Sequence, residues 1–293
     1  MHRTDLSRRD FVLTTAGTLL AAGVAGADRR AITAQDVADR IRANVGVPWR
    51  TTSADGIKAG APATPITGIA TTTMATMEVL KKAAASRHNF IVSQEPTFYA
   101  PTDTPGPRAT DPVYLAKQAF IGEHKLVIYR FGDHWNARKP NEMATALAAA
   151  LGWTRYKAPD ADQIYRLPQT TFAALSVSIQ KQLRMRGGMR TVGRPDAAVR
   201  SVFINPGTTD VPSTIASLPK ADVMLAGEPR EWEAVPYTVD TWAAGQNKGM
   251  IVIGRIVSEA PGMNACAAWL QSFISDVPVT TLTIGDPYWS PKV

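Results

Sequence analysis

Glu95, Asp133, Glu228 and Glu259 each follow a short apolar run, which makes them the residues best placed to do chemistry. The runs are residues 89–93 (NFIVS), 125–130 (KLVIYR), 221–227 (ADVMLAG) and 250–255 (MIVIGR), strand-like in composition and flanked by helix-like stretches. In open α/β sheets ligands bind beyond the carboxyl ends of the strands, so a mainly parallel sheet delivers all four carboxylates to one edge. Carboxylates gathered there suit a hard divalent cation or general acid/base catalysis.

Each motif also has a plainer reading. Gln94-Glu95-Pro96 puts a carboxylate straight after a strand, and the proline fixes the exit path. Gly132-Asp133-His134-Trp135-Asn136 pairs a carboxylate with an imidazole, as a metal site requires, although a turn aspartate and a surface histidine give the same pattern. Glu228 in GEPREWE and Glu259 in GRIVSEAPGM stand at strand-to-helix corners, where negative charge also complements a helix dipole. NPGTTD at 205–210 lacks the lysine of a phosphate loop and reads as a turn. Cys266 is the sole cysteine, which excludes an intramolecular disulfide and a thiolate zinc cluster; beside Met263 and Leu270 it reads as core.

The elements that must position these residues alternate. A helix is expected at 33–45, then a Pro/Gly-rich break at 46–65, and a right-handed βαβ unit from a strand at 66–71, a helix at 75–85 and the strand at 89–93. A long loop, 94–111, precedes a helix at 112–123, the strand at 125–130, a loop at 131–140 and an Ala-rich helix at 141–151. Residues 154–205 read as a possible middle subdomain with strands at 163–167 and 199–205 around a helix at 171–185. Alternation resumes with helices at 211–218, 232–244 and 263–275 and a last strand at 279–284. The class is α/β: interlinked subdomains, mainly parallel strands, and the site at their C-terminal ends.

Ser7-Arg8-Arg9-Asp10-Phe11-Val12, followed by an uncharged stretch closing on Ala25-Gly26-Ala27, reads as a twin-arginine export signal. It divides the chain into a signal at 1–27 and an α/β domain at 28–293, and places the mature protein in the periplasm or outside the cell, with no membrane association after cleavage. The formal charge is +7, but the positive residues are scattered and KQLRMRGGMR at 181–190 is the densest run, so no nucleic-acid partner is expected.

At these residues the chain resembles the Nif-three-like dinuclear metal centre family, hexameric proteins also known as GTP cyclohydrolase I type 2 homologues, and within it a subgroup carrying twin-arginine signals. The likeness rests on ITGIATTTMATMEVLKKAAASRHNFIVSQEPTFY, on the DHW loop with ALAAALGW, and on ADVMLAGEPREWEAV with GRIVSEAPGM. It implies a homo-oligomer, a hexamer in the family's pattern, and a site for Mn, Fe, Zn or Mg with Glu95, Asp133, His134 and Glu259 as the ligands. Where the subgroup carries histidine, this chain has Gln94, Gly132, Asn136 and Arg255. Gln and Asn are weak ligands, and a guanidinium opposes a second cation, so the resemblance implies at most a mononuclear, histidine-depleted site lined by Gln94, Asn136 and Arg255.

Two functions stay open on these residues. One is an exported metal-dependent hydrolase in which the ion polarises the substrate or activates water and Glu228 is the general base. The other is a non-catalytic oligomer whose cleft holds an Arg255–carboxylate network that binds an unknown small molecule, an anion or a partner.

Overall fold

A computed structural model describes residues 31–104 and 106–291. The twin-arginine pattern lies outside the described residues. Residues 32–293 form one compact unit built on two five-stranded sheets.

The first sheet has the order β1 (Gly56–Ala59), β4 (Val127–Arg130), β3 (Phe90–Ser93), β2 (Ile69–Thr72), β10 (Val279–Thr281); β10, β2, β3 and β4 pair in parallel and β1 is antiparallel to β4. Its connections carry α2 (Met77–Ala85) and α3 (Pro112–Glu123), with α1 (Ala34–Asn44) before β1. The strands are apolar on both sides because both faces are covered. Phe90, Val92, Val127 and Tyr129 enter one core with α1, and Ile91, Leu126 and Ile128 enter a second with Leu80 of α2 and Ile121 of α3.

The second sheet runs β5 (Ile164–Thr171), β7 (Ala198–Thr209), β8 (Val223–Pro229), β9 (Gly249–Val252), β6 (Arg190–Val192), with β7, β8 and β9 parallel and β5 and β6 antiparallel at the edges. Here too the faces alternate: Val223, Leu225 and Ile251 join a core with α5 (Glu142–Ala150) and α6 (Phe172–Gln182), while Met224, Ala226, Met250 and Val252 join another. Helices α7 (Val211–Ser217) and α8 (Ala234–Ala243) complete the β7–β8 and β8–β9 connections. Segment 154–205 thus supplies edge strands to this sheet.

Four boundaries differ from expectation, each for a local reason. β1 emerges from the Pro/Gly-rich break as an edge strand on β4. The 131–140 loop contains a short helix, α4 (Asp133–Ala137), because Asp55 from the preceding loop accepts the backbone N–H groups of Gly132, Asp133 and His134. β8 extends to Pro229, paired with the end of β7 beyond a bulge between Asn205 and Thr208, so Glu228 belongs to the strand. The last helix, α9 (Arg255–Gln271), begins eight residues before expectation and runs through Pro261. Gly262 beside that proline serves packing: a Cβ there would lie 2.0 Å from Met143 Sδ of α5. Cys266 on α9 is fully buried, and burial pushes its thiol pKa up, as a core cysteine requires.

Candidate functional site

The C-terminal ends of the two sheets' strands face a common cleft of about 750 Å³. From the first sheet, β3 leads into Gln94 and Glu95, and β4 leads through Gly132 into Asp133 and Asn136 of α4. From the second come Thr208 at the end of β7, Glu228 at the end of β8, and Arg255 and Glu259 from the first two turns of α9. Glu95, Asp133, Glu228, Glu259, Gln94, Asn136 and Arg255 all line this cleft.

Arg255 organises it. Its Nη1 donates to Glu95 Oε2 at 2.6 Å, its Nη2 donates to Thr208 Oγ1, and its Nε lies 2.8 Å from Glu228 Oε2. That last contact is an ion pair without a directed hydrogen bond, and the Glu228 side chain is 61% exposed. Burial works against the guanidinium charge, but Glu95, Glu228 and Glu259 outweigh it and raise the Arg255 pKa further.

Glu259 is only 2% exposed. Burial first, then the neighbouring Glu95 charge, lift its pKa well above the ordinary carboxylate range, and Arg255 offsets only part of this. Glu259 therefore holds its proton more tightly than an ordinary carboxylate does, with Glu95 within hydrogen-bonding reach of it. The floor beneath it is glycine for steric reasons. A Cβ on Gly207, at φ 73°, would lie 2.6 Å from Glu259 Oε1, and one on Gly227 would lie 2.4 Å from the Gly207 carbonyl oxygen.

On the opposite wall, Asp133 is pinned by Ser53 Oγ at 2.9 Å and the Ala54 N–H at 3.0 Å. Burial opposes its charge, but those two hydrogen bonds and then Arg130 and Arg50 prevail, so its pKa lies below the ordinary range. Gln94 Nε2 donates to Asn136 Oδ1 at 3.1 Å, and Gln94 Oε1, almost fully buried, has no partner. Gly132 is glycine because a Cβ would lie 2.6 Å from the Gln94 carbonyl oxygen, so no histidine fits that position on this backbone.

The structure does not bring His134 into the cleft. Its fully buried ring stacks on Trp49 with centroids 3.8 Å apart, Nε2 accepts the Arg50 N–H at 2.9 Å, and Nδ1 donates to Asp55 at 2.7 Å. Both ring nitrogens are taken, so none is left for a metal ion. Sequence reading missed the group that arranges this, Trp49 to Asp55, because a Pro/Gly-rich stretch masks it. The Ser-Ala-Asp triplet before Gly56 was the available signal, since Ser and Asp side chains cap nearby backbone N–H groups.

As arranged, the donor set does not fit a divalent cation. Arg255 puts a permanent positive charge between the three glutamates, already paired with Glu95 and Glu228 where a cation would sit. Among the described residues, no group of three or more His, Cys, Asp or Glu side chains is placed to hold a metal ion.

Comparison with known proteins agrees with this fold. Protein SA1388 of Staphylococcus aureus superposes with a TM-score of 0.69 at 15% identity, covering 89% of this chain and 99% of that one. A Bacillus cereus protein related to NIF3 gives 0.70 at 14% identity, with 89% and 99% covered. Reduced HcgD from Methanocaldococcus jannaschii gives 0.58 at 16% identity, with 86% and 98% covered. No curated protein matches the sequence. The family model for Duf34/NIF3 (NGG1p interacting factor 3) matches residues 35–286, and the chain belongs to that family.

Proposed function

We propose that this NIF3-family protein is a ligand-binding member in which an arginine has taken the place of a metal, and that it binds a small polar molecule in the cleft between its two sheets. The observation that carries this reading is Arg255, held by Glu95 and Thr208 and flanked by Glu228 and Glu259. One guanidinium already neutralises the carboxylates that a hydrolase site would offer to an ion. The cleft keeps what recognition needs: a volume in the range of small-molecule sites, fixed charges of both signs, and a buried Gln94 oxygen without a partner.

Export through the twin-arginine signal and assembly into a homo-oligomer are part of this proposal. A fusion of residues 1–40 to a reporter that is active only after export tests the first, and light scattering on the mature chain tests the second.

Metal analysis of mature protein, purified without chelator and without a histidine tag, tests the central point. The native chain is expected to carry well under one equivalent of Mn, Fe, Zn or Mg, and the Arg255→His/Gln94→His variant is expected to gain metal, because two imidazoles then replace a cation and a weak ligand. About one equivalent in the native protein, lost in Glu259→Ala, would restore the metal-dependent hydrolase with Glu228 as its base.

A further inference from the structure

The cleft has a second chamber, of about 680 Å³, that shares Met74, Glu228, Pro229 and Arg255 with the first. Arg190, Gly254 and Ile256 line it, and Tyr288 of the C-terminal segment closes one side, packed against the Gly188 backbone. The contact between Arg255 and Glu228 thus forms part of the partition that the two chambers share.

The two sides of that partition are unequal. Arg255 is tied to the protein by Glu95 and Thr208, and its side chain is 20% exposed. The Glu228 side chain is mostly exposed, has no hydrogen bond among the described residues, and meets Arg255 as an ion pair through an Nε that lacks a directed acceptor. A rotamer change in an exposed glutamate costs little, so its carboxylate is a replaceable partner. The same spot adjoins the start of α9, whose first turn has no side-chain cap and no acidic residue to complement its dipole. Independently, Gln94 Oε1, on a side chain more than nine-tenths buried, lines the adjoining chamber without a partner and calls for a ligand bearing a hydrogen-bond donor.

We propose that Glu228 is a built-in competitor: it occupies the place on Arg255 that belongs to the carboxylate or phosphate group of a small ligand, whose N–H or O–H donor reaches Gln94. Binding exchanges one anion for another at Arg255, so the charge balance of the buried cluster is kept while Glu228 moves into solvent and the two chambers join. This inference rests on the metal-free reading above and adds the chemistry of the ligand.

Calorimetric titration of the mature chain with inorganic phosphate and, separately, with succinate tests it, with metal content measured on the same samples. Glu228→Gln removes the competing charge and is expected to bind one of the two probes at least about tenfold more tightly than the native chain, equivalent to ~1.4 kcal/mol. The gain is expected to shrink at high salt and to vanish in Glu228→Gln/Arg255→Gln. Arg255→Lys keeps a cation in the cluster but lacks the Nε, so in the Glu228→Gln background it is expected to weaken binding without unfolding the protein. A preference for phosphate or for succinate identifies the anionic group. Equal affinity of native and Glu228→Gln proteins, or a gain that survives loss of Arg255, would overturn the inference while leaving a metal-free native protein consistent with the wider reading. Stoichiometric metal in the native protein would overturn the wider reading itself.

Discussion

Glu259 and Arg255 hold opposite stakes in the same cluster, and pH separates them. Glu259 keeps its proton to higher pH in the fold than in the unfolded chain, where it ionises near pH 4.3, roughly as a free glutamate does. As pH rises above that value the unfolded chain gives up a proton that the native state keeps, so this residue's contribution to stability is full in acid and declines until the folded pKa is passed. Glu259→Gln keeps the shape and the donor but cannot ionise. Its melting temperature is expected to match the native one at about pH 4 and to exceed it at about pH 8; parallel curves with a constant offset would refute a raised Glu259 pKa. Arg255→Met leaves Glu95 and its neighbours without their cation, with an expected loss of about 3 kcal/mol at neutral pH that shrinks in acid, measurable by urea unfolding. The carboxylates and Arg255 were readable from sequence because each follows an apolar strand. The direction of His134 was not, because it depends on partners some 80 positions earlier, Trp49, Arg50 and Asp55, which periodicity does not connect to it.

The loops that carry these residues are anchored by buried polar groups. Asp55 serves three backbone N–H groups of the turn into α4 as well as the His134 ring, so Asp55→Ala removes a helix cap and strands a buried donor; ~3 kcal/mol of destabilisation is expected, with part recovered in Asp55→Asn. Lys117 of α3 anchors the loop after Glu95: its ammonium donates to the Thr97 carbonyl oxygen at 2.6 Å and lies over the Tyr99 ring, while Asp103 accepts the Thr97 and Phe98 N–H groups. Burial lowers the Lys117 pKa to about 8 against the opposing pull of Asp103. Between that value and the ordinary range near about 10.4 the unfolded chain binds the extra proton, so native stability should gain from this residue as pH rises. Lys117→Met should lack that gain, and a melting-temperature comparison from about pH 7.5 to 10 shows whether it does. Strand cores such as FIVS and VMLAG announced themselves by composition; α4 and the early start of α9 did not, because the first depends on a distant cap and the second runs through a proline-glycine pair that reads locally as a stop.

Across the molecule, the cleft is where two separately covered sheets meet, and few groups join them there. Arg255 from α9 reaches Glu95 at the end of β3, 160 positions away in sequence. Farther along α9, Thr71 Oγ1 of β2 donates to the Met263 carbonyl oxygen at 2.9 Å, and α9 packs on α5 through Gly262 and Met143. The body of α9 therefore ties the sheets together whatever happens at its first turn, and Arg255 is a latch at the mouth. This distinction predicts a pattern as well as a magnitude. In Arg255→Met, amide hydrogen exchange should quicken in residues 94–104 and 230–233, which the latch restrains, and stay slow in β2, β3, β8 and β9, whose amides are held by parallel ladders inside apolar cores. In Glu228→Gln, which leaves the Glu95 contact intact, only residues 230–233 should quicken, and phosphate or succinate should slow them again if an anion takes the vacated place on Arg255. Quickening spread evenly over both sheets in either variant would mean that Arg255 supports the whole fold, and that its place in the cleft reflects stability more than recognition.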